Sequence, residues 1–245
     1  MQTGHRCRDR LVAAPAASVT GVSPDHGESD PASSHRRRVV VGVGLVGAGL
    51  LGASLSTKPG SSQFYGLTLG VAATWIAGGL ASGPLHLGWI QDRDGRLRRP
   101  VINPVMVGAG AFATFYGCAL TAREIPVLNQ AISNVLTYAD RGSGSFVLLT
   151  TLANGAAEEV FFRGAVYAAA GEWHPVVVSS AVYSLATATT RNPALVLASV
   201  VMGVLFGLQR WATGGIQAPL LTHLTWSALM LRFLPPLFAS LPTPH

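Results

Sequence analysis

Long apolar stretches with few charges between them constrain this chain more than any other feature of its sequence. Only 11% of its 245 residues are charged and 49% are hydrophobic, whereas an average soluble domain carries about 25% charged residues. The charges also cluster, because residues 1–38 and 91–99 hold six and four of the 17 Lys and Arg residues. This pattern is typical of multi-pass helical membrane proteins, so we expect an all-α bundle of transmembrane helices.

The apolar stretches predict about seven spans, within a range of about six to eight. Helix-breaking residues such as Pro175, Pro193 and Gly214 separate the later stretches. Residues 124–143 are mildly amphipathic and are predicted to lie at the surface. The predicted spans are about residues 39–56, 64–90, 101–122, 144–170, 175–190, 193–211 and 217–239.

The basic clusters predict how the chain is oriented in the membrane. Residues 1–38 lack a hydrophobic period and are predicted to be a disordered basic tail. The tail ends in Arg36, Arg37 and Arg38 directly before the first span, and the loop 91–99 after the second span is also net positive. Both features favour a cytoplasmic N-terminus, and we expect the protein to lie in the plasma membrane. Because the positive charge clusters beside the spans, membrane orientation explains it, and we expect no nucleic acid partner.

Two adjacent carboxylates, Glu158 and Glu159, are the only acidic residues well inside a predicted span. A charge at the bilayer centre costs roughly 2.5–3.5 kcal/mol on insertion scales, so such residues indicate a functional site. Glu159 and Arg163 are four residues apart on one helical face and are predicted to form an ion pair. Glu158 lies about 100° further round the helix and is free to act as a general base. A purely structural role for both glutamates stays open.

Two further spans carry polar pairs at the same spacing, Tyr183 with Thr187 and His223 with Ser227. Each pair lies on one helical face. We predict that the three helices turn these side chains and the glutamates toward one cavity. Two packing alternatives stay open, because a lone intramembrane His is often a hydrogen-bonded packing residue and a Thr hydroxyl often bonds to its own helix.

The stretch Glu158–Arg163 (EEVFFR) fits the EExxxR signature of the CPBP intramembrane proteases, the CAAX-protease and bacteriocin-processing family that includes the Ras-converting endopeptidase. Residues 223–227 (HLTWS) resemble the HxxxN motif of this family, with Ser227 in place of Asn. The resemblance covers about residues 144–230. It departs from the family at the FxxxH motif, where Tyr183 stands for the aromatic residue and Thr187 for the histidine.

The resemblance implies a role for each matching residue. Glu158 would activate a water molecule, Glu159 with Arg163 would support the site, and His223 with Ser227 would stabilise the oxyanion. Thr187 can hydrogen-bond a water molecule but cannot take a proton, and loss of a positioned acid or base typically costs 10²–10⁴-fold in rate. The chain then divides into the tail 1–38, supporting helices 39–143 and a catalytic core 144–240.

We therefore predict an intramembrane endopeptidase that needs no cofactor and cleaves a membrane protein or lipid-modified peptide within the lipid bilayer. A CAAX-type substrate follows only from the family resemblance. One alternative uses zinc held by Glu158, Glu159 and His223, and sensitivity to chelators would distinguish it. A second is a catalytically impaired homologue with a binding or regulatory role, for which Thr187 argues. A third is a transporter, which would spread charges along a path through repeated halves.

Overall fold

The computed structural model describes residues 31–91, 94–142 and 144–238. The described chain is a helical bundle whose only strands are two residues long, which confirms the predicted all-α fold class. The prediction of disorder for residues 1–30 lies outside the described residues. The supporting helices and the predicted catalytic helices share one hydrophobic core, since Val71 and Trp75 pack with Phe161, Phe162 and Ala186.

A helix occupies each of the seven predicted spans. The helical elements are α1 Pro31–Ser54, α2 Ser62–Ala81, α3 Ile102–Ala122, α4 Pro126–Asp140, α5 Gly144–Glu158, a π-helical segment Glu159–Val166, α6 Tyr167–Ala170, α7 Pro175–Ala188, α8 Pro193–Thr213, α9 Gln217–Phe233 and α10 Pro235–Phe238. Strands β1 Ile90–Gln91 and β2 Leu97–Arg98 pair antiparallel. Among the described helices, α1, α2, α3 and α8 are long and apolar enough to cross a membrane. The protein is therefore a membrane protein.

The first helix begins earlier than the sequence pattern predicted. Residues 31–38, which we had assigned to the tail, form the first turns of α1. Proline is favoured at the first helical position because its missing N–H needs no partner there. Arg36 also anchors this end of the helix, since its Nε donates a hydrogen bond to the Ser82 carbonyl at 2.9 Å.

The second helix ends earlier than predicted. It stops at Ala81, and residues 84–89 run as an extended segment that we call the strap. The strap pairs with the turn between α8 and α9 through backbone hydrogen bonds, from Trp89 N to Thr213 O at 2.8 Å and from Ile216 N to His86 O at 2.8 Å. Gly88 has φ +86° and a Cβ there would lie 2.5 Å from Thr213 O. Only glycine fits this position.

The amphipathic stretch predicted at residues 124–143 forms α4. Ala131 and Leu136 on this helix are buried, whereas Val127 is largely exposed. The Tyr138 hydroxyl lies within 2.7 Å of the Leu55 carbonyl oxygen and ties α4 to the end of α1. The helix therefore has one face against the bundle and one facing outward.

The helix that carries the two glutamates lies at the centre of the bundle. Together, α5 and the π-helical segment pack against α2, α7 and α9. Trp75 of α2 stacks on Phe161 at a ring-centroid distance of 4.6 Å, and Phe162 contacts the Tyr183 ring on α7 at 5.0 Å. This aromatic core fixes α2, the π-helical segment and α7 relative to one another beside the glutamates.

Candidate active site

Glu159 is the hub of a fully buried polar cluster. Its Oε1 accepts one hydrogen bond from Arg163 Nη1 at 3.2 Å and another from His223 Nδ1 at 2.8 Å. The side chains of Glu159 and Arg163 are 0% exposed. The predicted Glu159–Arg163 pair is thus in contact. The bond to His223 joins the pair to α9, which local spacing had not indicated.

Arg163 fastens the π-helical segment to α8. Its Nη2 donates to the Gly203 carbonyl at 3.2 Å, and its guanidinium lies 4.6 Å from the ring centroid of Tyr183 and 4.9 Å from that of Phe206. Arg210, which is also on α8, donates from Nε to the Arg163 carbonyl at 2.9 Å. The contacts of the guanidinium with Glu159, the Gly203 carbonyl and the two rings offset part of the cost of its burial, although its Nε has no partner among the described residues.

The backbone around the glutamates departs from a regular α-helix. Glu158 ends α5 and Glu159 begins the π-helical segment, in which nearly every residue is buried. Single π-helical turns inside α-helices are rare and often coincide with functional sites. The change of backbone geometry therefore falls between the two carboxylates.

Glu158 differs from its neighbour in both partners and accessibility. Its Oε2 accepts a hydrogen bond from the Tyr183 hydroxyl at 2.8 Å and lies 3.9 Å from His223 Nε2. Its side chain is 14% exposed, whereas that of Glu159 is inaccessible. Its Oε1 accepts no hydrogen bond from any residue that the structure describes. Glu159 Oε2 also lacks a partner among the described residues but is buried, so the unpartnered oxygen on the accessible side chain is Glu158 Oε1.

His223 is held in place on two sides. Its ring stacks on Phe206 with centroids 4.7 Å apart and planes 23° apart. With Nδ1 engaged by Glu159, the other ring nitrogen, Nε2, faces Glu158. A Cβ on Gly155 of α5 would lie 3.5 Å from Nε2. The missing side chain at Gly155 therefore leaves room beside this nitrogen.

Two of the predicted site residues make no hydrogen bond to the glutamates. The Thr187 hydroxyl donates to the carbonyl of Tyr183, one turn back on its own helix, at 2.9 Å. Ser227 lies one turn beyond His223 and is buried, but within the described ranges it bonds to neither carboxylate. The structure thus brings together Glu158, Glu159, Arg163 and His223.

The structure gives two residues contacts in the site that sequence reasoning had not assigned to them. Tyr183 had been predicted to face the cavity together with Thr187, but its bond to Glu158 was not predicted, since that bond depends on how two helices face each other. Phe206 carries no chemical signal in the sequence, since it supports His223 only by stacking. In the sequence, Phe206 cannot be distinguished from the many apolar residues that only pack within a span.

The described residues contain no group of three or more His, Cys, Asp or Glu side chains arranged to hold a metal ion. In the donor set of the zinc alternative, Glu159 Oε1 and His223 Nδ1 are hydrogen-bonded to each other.

The chain was compared with known protein families, curated proteins and solved structures. Residues 141–229 match the family model described as type II CAAX prenyl endopeptidase Rce1-like. No curated protein and no solved structure matches the chain. The matched range contains every residue of the cluster described above, and it confirms the resemblance inferred from the EExxxR motif. Over residues 141–229 the chain is therefore similar to the Rce1-like type II CAAX prenyl endopeptidases.

Proposed function

We propose that the protein is an intramembrane endopeptidase in which Glu158 activates water to hydrolyse a peptide bond. The observation that carries the proposal is the difference between the two carboxylates. Glu159 is inaccessible and hydrogen-bonded by both Arg163 and His223, whereas Glu158 is partly accessible and its Oε1 has no partner among the described residues. A carboxylate with one free oxygen next to a second polar group fits a general base.

The proposed reaction uses Glu158 twice. Its Oε1 takes a proton from water while the water oxygen bonds to the carbonyl carbon of the scissile peptide, and the carbonyl electron pair moves to oxygen. When the tetrahedral intermediate collapses, the C–N bond breaks and the amine nitrogen receives the proton that Glu158 holds. The products are a carboxylic acid and an amine, and Glu158 returns to its starting state.

We propose His223 as a donor to the oxyanion. Because Nδ1 already donates to Glu159, a donor at Nε2 requires both ring nitrogens to be protonated. In that state the site holds two carboxylates and two cations, Arg163 and His223, which balance one another. Ser227 is the second proposed donor, since this residue is largely buried one turn from His223 and its hydroxyl makes no hydrogen bond to the residues described. Preorganised donors of this kind often supply the largest single part of catalysis.

We propose that the reaction needs no metal ion. The proposal is supported by the pairing of Glu159 Oε1 with His223 Nδ1, which commits two potential ligand atoms to each other. It is further supported by Arg163, whose positive charge already compensates Glu159. Thr187, at the position where the family has a histidine, remains near the site through the carbonyl of Tyr183 and has no proton-transfer role in this proposal.

We propose that the strap end of the bundle faces the cytoplasm and that the protein lies in the plasma membrane. Support comes from the basic residues gathered at that end. Arg36 donates to the Ser82 carbonyl just before the strap, and Arg99 donates to Gly88 within it at 2.9 Å. Positive charge beside spans is typical of the cytoplasmic side.

The proposed substrate is a lipid-modified chain end in the membrane, as the family match suggests. The test uses purified protein in liposomes and two peptides that end in the same CAAX-type sequence, one prenylated on its cysteine and one unmodified. We expect the prenylated peptide to be cleaved faster, because its lipid brings the scissile bond to the membrane-embedded site. Equal cleavage of both peptides would contradict the proposed substrate class but would still agree with an endopeptidase activity.

A second candidate function is that of a catalytically impaired homologue that binds a membrane partner. The observation in its favour is Thr187, which replaces a group able to take a proton and whose hydroxyl is turned to its own helix. This candidate predicts that no peptide is cleaved. It also predicts that Glu158→Gln changes only stability or the binding of a partner.

A further inference from the structure

We infer that Tyr183 is the residue that positions Glu158 for the reaction, by holding one carboxylate oxygen so that the other faces the water. This inference rests on the proposed function. Its basis is the 2.8 Å hydrogen bond from the Tyr183 hydroxyl to Glu158 Oε2. A tyrosine in an apolar span usually serves packing, and here its polar end meets the one glutamate of the pair that is partly accessible.

The orientation of Glu158 depends on this single bond. His223 Nε2 is the other polar group near Oε2, and at 3.9 Å it lies beyond hydrogen-bond distance. Within the described residues no other donor reaches either oxygen of Glu158. Without Tyr183 the carboxylate would be free to rotate about its side-chain torsions. The tyrosine therefore decides which oxygen is available as the base.

Tyr183 is itself held firmly, so the direction of its hydroxyl is preset. Its side chain is buried, and its ring contacts Phe162 at 5.0 Å and the Arg163 guanidinium at 4.6 Å. Its backbone carbonyl accepts the hydrogen bond from Thr187. Arg163 therefore takes part both in the ion pair with Glu159 and in holding the ring of Tyr183. Catalytic groups supported in this way keep their productive geometry.

The role is one of positioning, and Tyr183 keeps its proton throughout. A hydroxyl that donates to an ionised carboxylate makes a short, charge-assisted bond. With Oε2 engaged in this bond, Oε1 takes the proton from water and later gives it to the leaving amine. Since a misplacement of about 1 Å can cost about 10²-fold in rate, removing the hydroxyl should lower kcat by about 10- to 100-fold.

Tyr183→Phe tests the inference, because it removes the hydroxyl and keeps the ring. The matched control is Tyr138→Phe, which removes a hydrogen-bonded tyrosine hydroxyl from α4, away from the glutamates. We expect Tyr183→Phe to lower kcat with an unchanged KM, and Tyr138→Phe to leave both at their wild-type values. Tyr183→His, which keeps a ring and an N–H donor, should fall between Phe and the wild type.

An infrared measurement supplies a readout that does not depend on cleavage. The carboxyl band of Glu158 is assigned as the band that disappears in Glu158→Gln, and Tyr183→Phe should shift it while Tyr138→Phe should not. This band also tests the contact if Tyr183→Phe is too unstable for kinetics, since Tyr183→His should shift it as well. An unshifted band in Tyr183→Phe would overturn the inference.

The two proposals fail in different ways. Wild-type cleavage combined with a wild-type kcat for Tyr183→Phe would overturn the positioning role and leave the endopeptidase intact. A raised KM with an unchanged kcat would also overturn the inference, because it would indicate a role in substrate binding. The absence of cleavage by the folded wild-type protein would overturn the proposed function itself, whatever the infrared band shows.

Discussion

Glu158→Gln is expected to lower kcat by about 10²–10⁴-fold or more while the protein folds as the wild type does. The amide has nearly the same shape, and its oxygen can still accept the hydrogen bond from Tyr183. It cannot take a proton from water, so the proposed base is lost. The measurement is the cleavage rate of both proteins in liposomes, together with their thermal unfolding temperatures.

The matched control for this prediction is Glu172→Gln. Glu172 is exposed in the turn between α6 and α7, outside the polar cluster, and its replacement should leave the rate unchanged. A Glu158→Gln protein that cleaves at the wild-type rate would show that another group is the base. A variant that loses its fold together with its activity would instead favour a structural role for Glu158.

Arg163→Met should destabilise the protein by about 3–5 kcal/mol, the usual cost of breaking a buried ion pair by removing one partner. Methionine is similar in length but carries no charge, so the inaccessible carboxylate of Glu159 would keep only the hydrogen bond from His223. The Gly203 carbonyl would also lose its donor. The free energy of unfolding in mild detergent, measured by denaturant titration, tests this expectation.

A double variant and a substitution at an exposed arginine serve as controls for Arg163→Met. Glu159→Gln combined with Arg163→Met leaves no unpaired carboxylate, so it should recover part of the stability lost in Arg163→Met. Arg123→Met removes an arginine from an exposed pair with Glu124 and should change stability by no more than about 0.5 kcal/mol. Wild-type stability of Arg163→Met would contradict the account of the buried cluster.

The sequence was sufficient for those parts of the fold and site that depend on local spacing. Scarcity of charge predicted the helical membrane class, because a backbone in lipid must satisfy its own hydrogen bonds. The spacing of Glu159 and Arg163 predicted their contact, because residues four apart share a helical face. Span ends were less predictable, since residues 84–90 are apolar enough to extend a helix but run as the strap and β1.

The contacts that assemble the site are long-range, and single-sequence reasoning had no means to select them. Tyr183 is 25 residues from Glu158 and His223 is 64 residues from Glu159. Each bond depends on how one helix is rotated against another, which periodicity does not determine. Thr187 shows the same limit, because its hydroxyl had two plausible partners and the structure has it bonded to its own helix.

Cleavage of a mixed peptide library in water enriched in ¹⁸O tests the central claim most directly. Purified wild-type protein and Glu158→Gln are incubated with the library, and the products are identified by mass spectrometry. The account predicts that the wild type cuts internal peptide bonds, that each new C-terminal carboxylate carries one ¹⁸O atom from water, and that Glu158→Gln yields almost none of these products. No cleavage, unlabelled products, or the same products from Glu158→Gln would contradict it.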